Sequence, residues 1–358
     1  MLGDRIMKAH PLKTLALVSL LTAGANVATA ENFKPTTLKV MGTFPTSTTF
    51  LFHEKPFWTE TIPEMAGGNV EVVLTNTTEL GLKGPEIFRL MKLGVLDFGT
   101  GVLSYTAGDD PEAEAIDLAG LSLDASTLRE ITQAYRPTLE ALYAEKYGIK
   151  ALAFYPAHAQ VFWCAEPLSG LGDLKGKKVR VFNTSMADFV EGVGGTPVNI
   201  PFAEVVPSLQ RKVVDCAVTG ALTGNKSKWT EVTTHMYPMP MGWAVYLHGV
   251  SRKTWDSIEP NLQSLISEQV AMLEDNIWKA ADEETRQGVS CSTGGTPCTI
   301  GDKAALTLVP VSAEDAQAHR ELMENVVLKR WAQRCGEDCV ADWNAKVGKI
   351  LNLTASEQ

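Results

Sequence analysis

Arg180 stands inside a short apolar run, Val179–Phe182, where a strand would bury it and where a charge needs a partner. Guanidinium is planar, permanently charged and rigidly forked, so it grips a carboxylate through two parallel charge-assisted hydrogen bonds. Two readings of this residue compete: a grip for an anionic ligand, or a structural arginine paired with a carboxylate of the chain itself. Other chemistry is sparse. Gly99-Thr100-Gly101-Val102-Leu103-Ser104 lacks the third glycine of a dinucleotide fingerprint, and neither a phosphate loop nor a serine in a nucleophile elbow occurs. His53, His158, His235 and His248 are scattered without helical pairing and read as loop or surface histidines. No motif calls for a cofactor or a metal, although a catalytic triad assembled only in three dimensions stays open.

The elements that must carry Arg180 follow from periodicity. Val179–Phe182, Pro197–Ile200 and Val213–Thr219 are β-branched runs separated by two amphipathic segments. The first segment, with Ser185 as its expected cap, places Met186, Phe189, Val190 and Val193 at helical spacing. The second carries Val205, Val206 and Leu209 before Arg211-Lys212, and the whole reads as a strand–helix–strand–helix–strand unit of an α/β domain.

This stretch resembles the signature region of the solute-binding proteins of TRAP transporters, the tripartite ATP-independent periplasmic uptake systems. Leu174-Lys175-Gly176-Lys177-Lys178-Val179-Arg180 matches the family's basic strand. Gly194-Gly195-Thr196-Pro197, Pro201-Phe202-Ala203-Glu204-Val205 and Val214-Asp215 follow in the family's order. The resemblance covers essentially the whole mature chain. It implies a two-lobed periplasmic-binding-protein fold of the α/β class, each lobe a sheet flanked by helices, with hinge strands and a long bracing helix. It also implies that Arg180 clamps a substrate carboxylate between the lobes and that Phe202 packs on the ligand. Gln160 stands where sialic-acid-binding members carry a second arginine. Thr219 replaces an asparagine common in the family, and Cys216 a glycine. Trp163, Trp243, Phe162 and Tyr246 lie near the relevant strands, and Phe44 and Asn183 complete the expected binding set. Such a pocket is less polar than a sugar-acid site and suits an aromatic or branched organic acid.

Length and composition are compatible. The 358 residues suffice for two domains, and a net charge of −10 argues against a nucleic-acid-binding surface. Residues 1–30 read as a signal peptide: Arg5, Lys8 and Lys13 precede the apolar Leu15–Leu21, and Ala28-Thr29-Ala30 has the form of a cleavage site. An uncleaved anchor is the competing reading, disfavoured by the short apolar run. Export to the periplasm makes disulfides the expected fate of Cys291 with Cys298 and Cys335 with Cys339. Cys164 and Cys216 are either bridged or free in the core. The alternative for the C-terminal pairs, a four-cysteine zinc site, has poor spacing.

Along the chain, 31–153 is expected as the first lobe, with part of 221–250 and the C-terminal region. The second lobe is 154–220 with part of 251–312, and a helix over 257–288 bridges the two. Loop 43–49, after the strand Leu38–Gly42, lies where open α/β sheets bind ligands. A helix from Phe50 to about Met65 should be interrupted by Pro56 and Pro63, and the acidic residues Asp109, Asp110, Glu112 and Glu114 are expected on a solvated surface. The expected partners are a small carboxylate and TRAP membrane subunits, with the chain a monomer. A ligand-sensing partner of a signalling protein and an exported hydrolase are the rival functions.

Overall fold

The computed structural model describes residues 33–357, so the expected signal segment lies outside the described residues. Its strands are β1 (Thr36–Gly42), β2 (Val70–Asn76), β3 (Phe98–Val102), β4 (Ile149–Tyr155), β5 (Gln160–Cys164), β6 (Lys178–Val181), β7 (Thr196–Asn199), β8 (Cys216–Gly220), β9 (His235–Tyr237), β10 (Tyr246–Ser251) and β11 (Thr307–Leu308). They form two sheets, ordered β2-β1-β3-β10-β4 and β11-β9-β5-β8-β6-β7. In the first, β1 pairs in parallel with β2 and β3, while β10 runs antiparallel between β3 and β4. In the second, β6 pairs in parallel with β7 and β8, while β5 is antiparallel to β8 and β9. The result is a mixed α/β fold of two sheets, each flanked by helices.

The chain passes between the sheets where its alternation breaks. β4 ends at Tyr155 in the first sheet and β5 begins at Gln160 in the second, so 156–159 is one crossing; 238–245 returns from β9 to β10. The segment 221–237 therefore stays with the second sheet, and only β10 rejoins the first. A third passage is the helix Pro260–Thr293, 34 residues and about 51 Å at 1.5 Å per residue. Its middle lies on the first lobe: Trp278 Nε1 donates to the Phe154 carbonyl at 2.9 Å, and Glu274 and Asp275 pair with Arg136 and Arg129 of the helix Ala125–Tyr147. Its last turns lie on the second lobe, where Asn225 Nδ2 donates to Ser292 Oγ at 3.1 Å.

Several boundaries differ from the sequence reading for physical reasons. Gly288 does not end the long helix. A Cβ there would collide with the backbone of Ala221 and Leu222, so the glycine marks close packing, and the cap is Gly294 at φ 76°. Pro56 and Pro63 do not break the segment after β1, because π-helical turns at Thr49–Glu54 and Phe57–Thr61 absorb them ahead of Ile62–Met65. The cap of helix Thr184–Gly192 is Asn183, whose Oδ1 accepts the Met186 N–H at 2.9 Å; Ser185 Oγ instead accepts the Ala119 N–H.

The acidic run is only partly a solvated surface. Glu114 and Asp110 are buried: Glu114 accepts the Ser185 N–H and meets Arg334, while Asp110 pairs with Lys146 and accepts from Tyr147. Burial pushes the Glu114 carboxyl up to about 7 against those partners. Distant residues supply them, so nothing local announces the burial.

All three cysteine pairs are bridged: Cys164–Cys216 at directly opposed positions of β5 and β8, Cys291–Cys298 and Cys335–Cys339. Among the described residues no helix is long and apolar enough to cross a membrane.

Gly288→Ala tests the helix seat. In an ordinary helix interior the change stabilises by about 1 kcal/mol. Here the methyl meets immovable backbone, so the sign should reverse, with a loss of roughly 1–3 kcal/mol. A melting temperature at or above that of the unaltered protein would refute this packing.

Candidate functional site

β6 delivers Arg180 between its two parallel neighbours, opposite Val198 of β7 and Ala217 of β8. The side chain is buried, and its Nε–H donates to the Ile200 carbonyl at 2.8 Å and its Nη1 to the Val218 carbonyl at 2.7 Å. Guanidinium has five N–H groups, so these two bonds leave three, including both on Nη2. Phe182 lies 5.2 Å and Trp229 6.0 Å from the guanidinium carbon. Burial lowers the group to about 10, which still leaves it charged at neutral pH. No ion pair joins Arg180 to an Asp or Glu among the described residues. The structural-arginine reading therefore lacks its partner.

Around Arg180 is a narrow cavity of about 30 Å³, partly open to solvent, between the lobes at the C-terminal ends of β1, β3, β6 and β8. The first lobe contributes Phe44, Val102, Tyr105, Ala244 and Tyr246; the crossing contributes Ala157. The second contributes Gln160, Phe182, Phe202, Thr219 and Thr223. Across the cleft Phe44 and Phe202 sit 4.7 Å apart, Asn183 Nδ2 donates to Ser104 Oγ at 3.2 Å, and Lys83 pairs with Glu204 at 2.7 Å.

Of the eight residues expected from sequence, Arg180, Gln160, Phe202, Thr219 and Phe44 line this cavity. Asn183 lines the adjoining recess on the other side of Phe182 while capping its helix. Two tryptophans do not belong. Trp163 is buried against Gly224 and Trp229, its Nε1 directed at the Thr219 carbonyl. Trp243 is core, its Nε1 on the Ser122 carbonyl and its N–H on Asp117. Aromatic residues close to pocket strands are mostly packing, and these two follow that rule. Sequence reasoning missed Tyr105, Phe182 and Thr223. Phe182 could have been found, since it follows Arg180 by two positions on the same strand face.

Two of the histidines expected on loops or the surface are buried: His158, which does lie on the crossing loop, and His248, which lies within β10. His248 bonds Thr100 at 2.7 Å, and burial pushes its ring down to about 3, so it stays neutral. His158, at the crossing, contacts Thr223 Oγ1 through Nδ1 at 3.1 Å and Glu284 Oε2 through Nε2 at 2.7 Å. His53 Nε2 meets the other Glu284 oxygen at 2.9 Å, and Thr48 donates to Oε2. With Glu284 ionised and only able to accept, His158 presents Nε2–H to it and turns Nδ1 to the Thr223 hydroxyl. The long helix, both lobes and the cavity wall thus meet in one polar cluster. Among the described residues no three His, Cys, Asp or Glu side chains are arranged to hold a metal ion.

Glu284 gives a pH prediction. Burial opposes its ionisation, but hydrogen bonds from His158 and His53 prevail and hold the carboxyl well below the usual carboxylate range. A depressed folded-state value means stability that is present above the unfolded value of about 4.3 and lost as pH falls below it. Thermal melts should therefore show Glu284→Gln losing less stability than the unaltered protein on acidification from about pH 5. Parallel curves would contradict the assignment.

Two lobes around a cleft whose wall holds an unpaired buried cation define a binding protein for a small anionic solute. Residues 41–334 match the model of the bacterial extracellular solute-binding protein family 7, and the chain belongs to that family. Its relatives include the C4-dicarboxylate-binding periplasmic protein DctP of Rhodobacter capsulatus, 23% identical over 258 residues that span 72% of this chain and 70% of the relative. The fold is that of DctP7 of Bordetella pertussis, an extracytoplasmic solute receptor binding pyroglutamic acid (TM-score 0.78, 19% identity, 88% of this chain and 99% of the other). A TRAP periplasmic solute-binding protein of Desulfovibrio salexigens with bound orotic acid is similarly close (TM-score 0.76, 19% identity, 88% and 99%).

Proposed function

We propose that this protein captures a small organic acid outside the cytoplasm, holds its carboxylate on Arg180, and delivers it unchanged to TRAP membrane subunits. The observation that carries the reading is the buried guanidinium with three N–H groups unspent and no counter-ion. Desolvating a cation costs several kcal/mol, and a chain that wanted only structure would place a carboxylate beside it. A ligand carboxylate supplies both the charge and the acceptors. Periplasmic location and a cleaved signal at 1–30 accord with the family and with the N-terminal pattern of the sequence.

A catalytic reading draws on one feature: Thr223, His158 and Glu284 are connected in the order hydroxyl, imidazole, carboxylate, as in a hydrolytic triad. The same bonds tie the crossing to the long helix, which suffices to explain them. Incubation with aryl esters of small acids should give no release above background, and turnover abolished by Thr223→Ala would favour the hydrolase.

The clamp is tested by calorimetry on an acid found by thermal-shift screening. Arg180→Ala should fold and lose roughly 2–5 kcal/mol of affinity. Arg180→Lys should recover only part, because an ammonium keeps the charge but not the fork. Near-native affinity in a folded Arg180→Ala protein would end the carboxylate-clamp reading.

A further inference from the structure

We infer that the solute is a monocarboxylate with a flat, largely apolar body and a neutral hydrogen-bonding group remote from the acid. A second carboxylate is excluded. This rests on Arg180 as the anchor and asks what the remainder of the cavity accepts.

The charge around the cavity decides between one carboxylate and two. Arg180 is the one charged side chain in the cavity wall. Away from it, no lysine or arginine lines the wall, and the groups behind it include the carboxyls of Glu54 and Glu284. Glu54 is buried behind Tyr246, whose phenol is pushed up first by its own burial and then by Tyr105 and Glu54; burial also raises the Glu54 carboxyl, which accepts the Tyr155 hydroxyl at 2.8 Å and the Thr43 N–H at 2.7 Å. Glu284 stands behind Thr223, with His158 between them. Lys83, in the adjoining recess, is already committed to Glu204. A second carboxylate would lose its water with no second lysine or arginine in the wall to meet it.

Shape and polarity define the body. Phe44, Phe182, Phe202, Tyr105 and Tyr246 supply rings on several sides, and Phe202 is itself stacked on Trp229 at 5.7 Å. Ring walls favour a planar apolar body through offset and edge contacts. The hydroxyls of Tyr105, Tyr246 and Thr219 make no hydrogen bond to the rest of the described chain, and Gln160 spends its Nε2 on the His158 carbonyl, leaving Oε1 free. Burial pushes the Tyr105 phenol up to about 12, so it remains a donor. A hydroxyl, carbonyl or ring N–H finds partners among these groups. A polyhydroxylated acid would leave several hydroxyls against rings.

The test is a calorimetric panel on the full mature protein with benzoate, 4-hydroxybenzoate, its analogue carrying a second carboxylate (terephthalate), succinate and galacturonate. 4-Hydroxybenzoate should bind on the order of 100-fold tighter than terephthalate, succinate and galacturonate, and benzoate, which lacks the remote hydroxyl, should fall between them. Succinate or terephthalate binding as tightly as 4-hydroxybenzoate, and losing that affinity in Arg180→Ala, would overturn this solute class while leaving the carboxylate clamp in place. Tight galacturonate binding would overturn the apolar body. Failure of every acid in the panel to bind would overturn the class and remove the support for the clamp together.

Discussion

A buried guanidinium without a counter-ion is the constraint around which this molecule is arranged. Arg180 can be tolerated only because β6 lies between β7 and β8, so that the Ile200 and Val218 carbonyls face it from both sides. Phe182 and Trp229 flank the group and exclude water from it. The Cys164–Cys216 bridge fastens β8 to β5, and those strands also supply Thr219 and Gln160 to the cavity. Remove any one of these supports and the cation would need its hydration shell back.

The other half of the arrangement is the seat that keeps two sheets in register around the cleft. Of the passages that join them, the long helix touches both through quite different chemistry. On the first lobe it uses an indole-to-carbonyl hydrogen bond and two arginine–carboxylate pairs; on the second, backbone packed against a glycine. The His53–Glu284–His158 cluster sits where those two contacts change over, with Thr223 leading from it to the cavity.

Strands and their order around Arg180 were legible because they depend on local periodicity and on a short ordered motif. Arg180, Phe202, Thr219 and Gln160 were legible for the same reason: each sits at a fixed offset from that motif, Gln160 upstream of it. What stayed hidden depends on contacts between distant segments. The burial of Glu114 needs Arg334, that of His158 needs Glu284, and the continuation of the long helix through Gly288 needs the backbone of Ala221. Trp163 and Trp243 show the opposite error, since strand position puts an aromatic near a cleft without saying which face it occupies.

The pair Lys83–Glu204 spans the mouth of the cleft with both side chains at least half exposed, at 62% and 50%. Dissolved ions screen such a pair over about 8 Å at physiological ionic strength, whereas the buried guanidinium lies beyond their reach. The buried cation and the rim pair therefore answer to different features of the medium. In dilute surroundings the rim pair helps hold the two lobes together across the cleft. In brine that help fades, while the bonds of the buried Arg180 to the Ile200 and Val218 carbonyls are untouched.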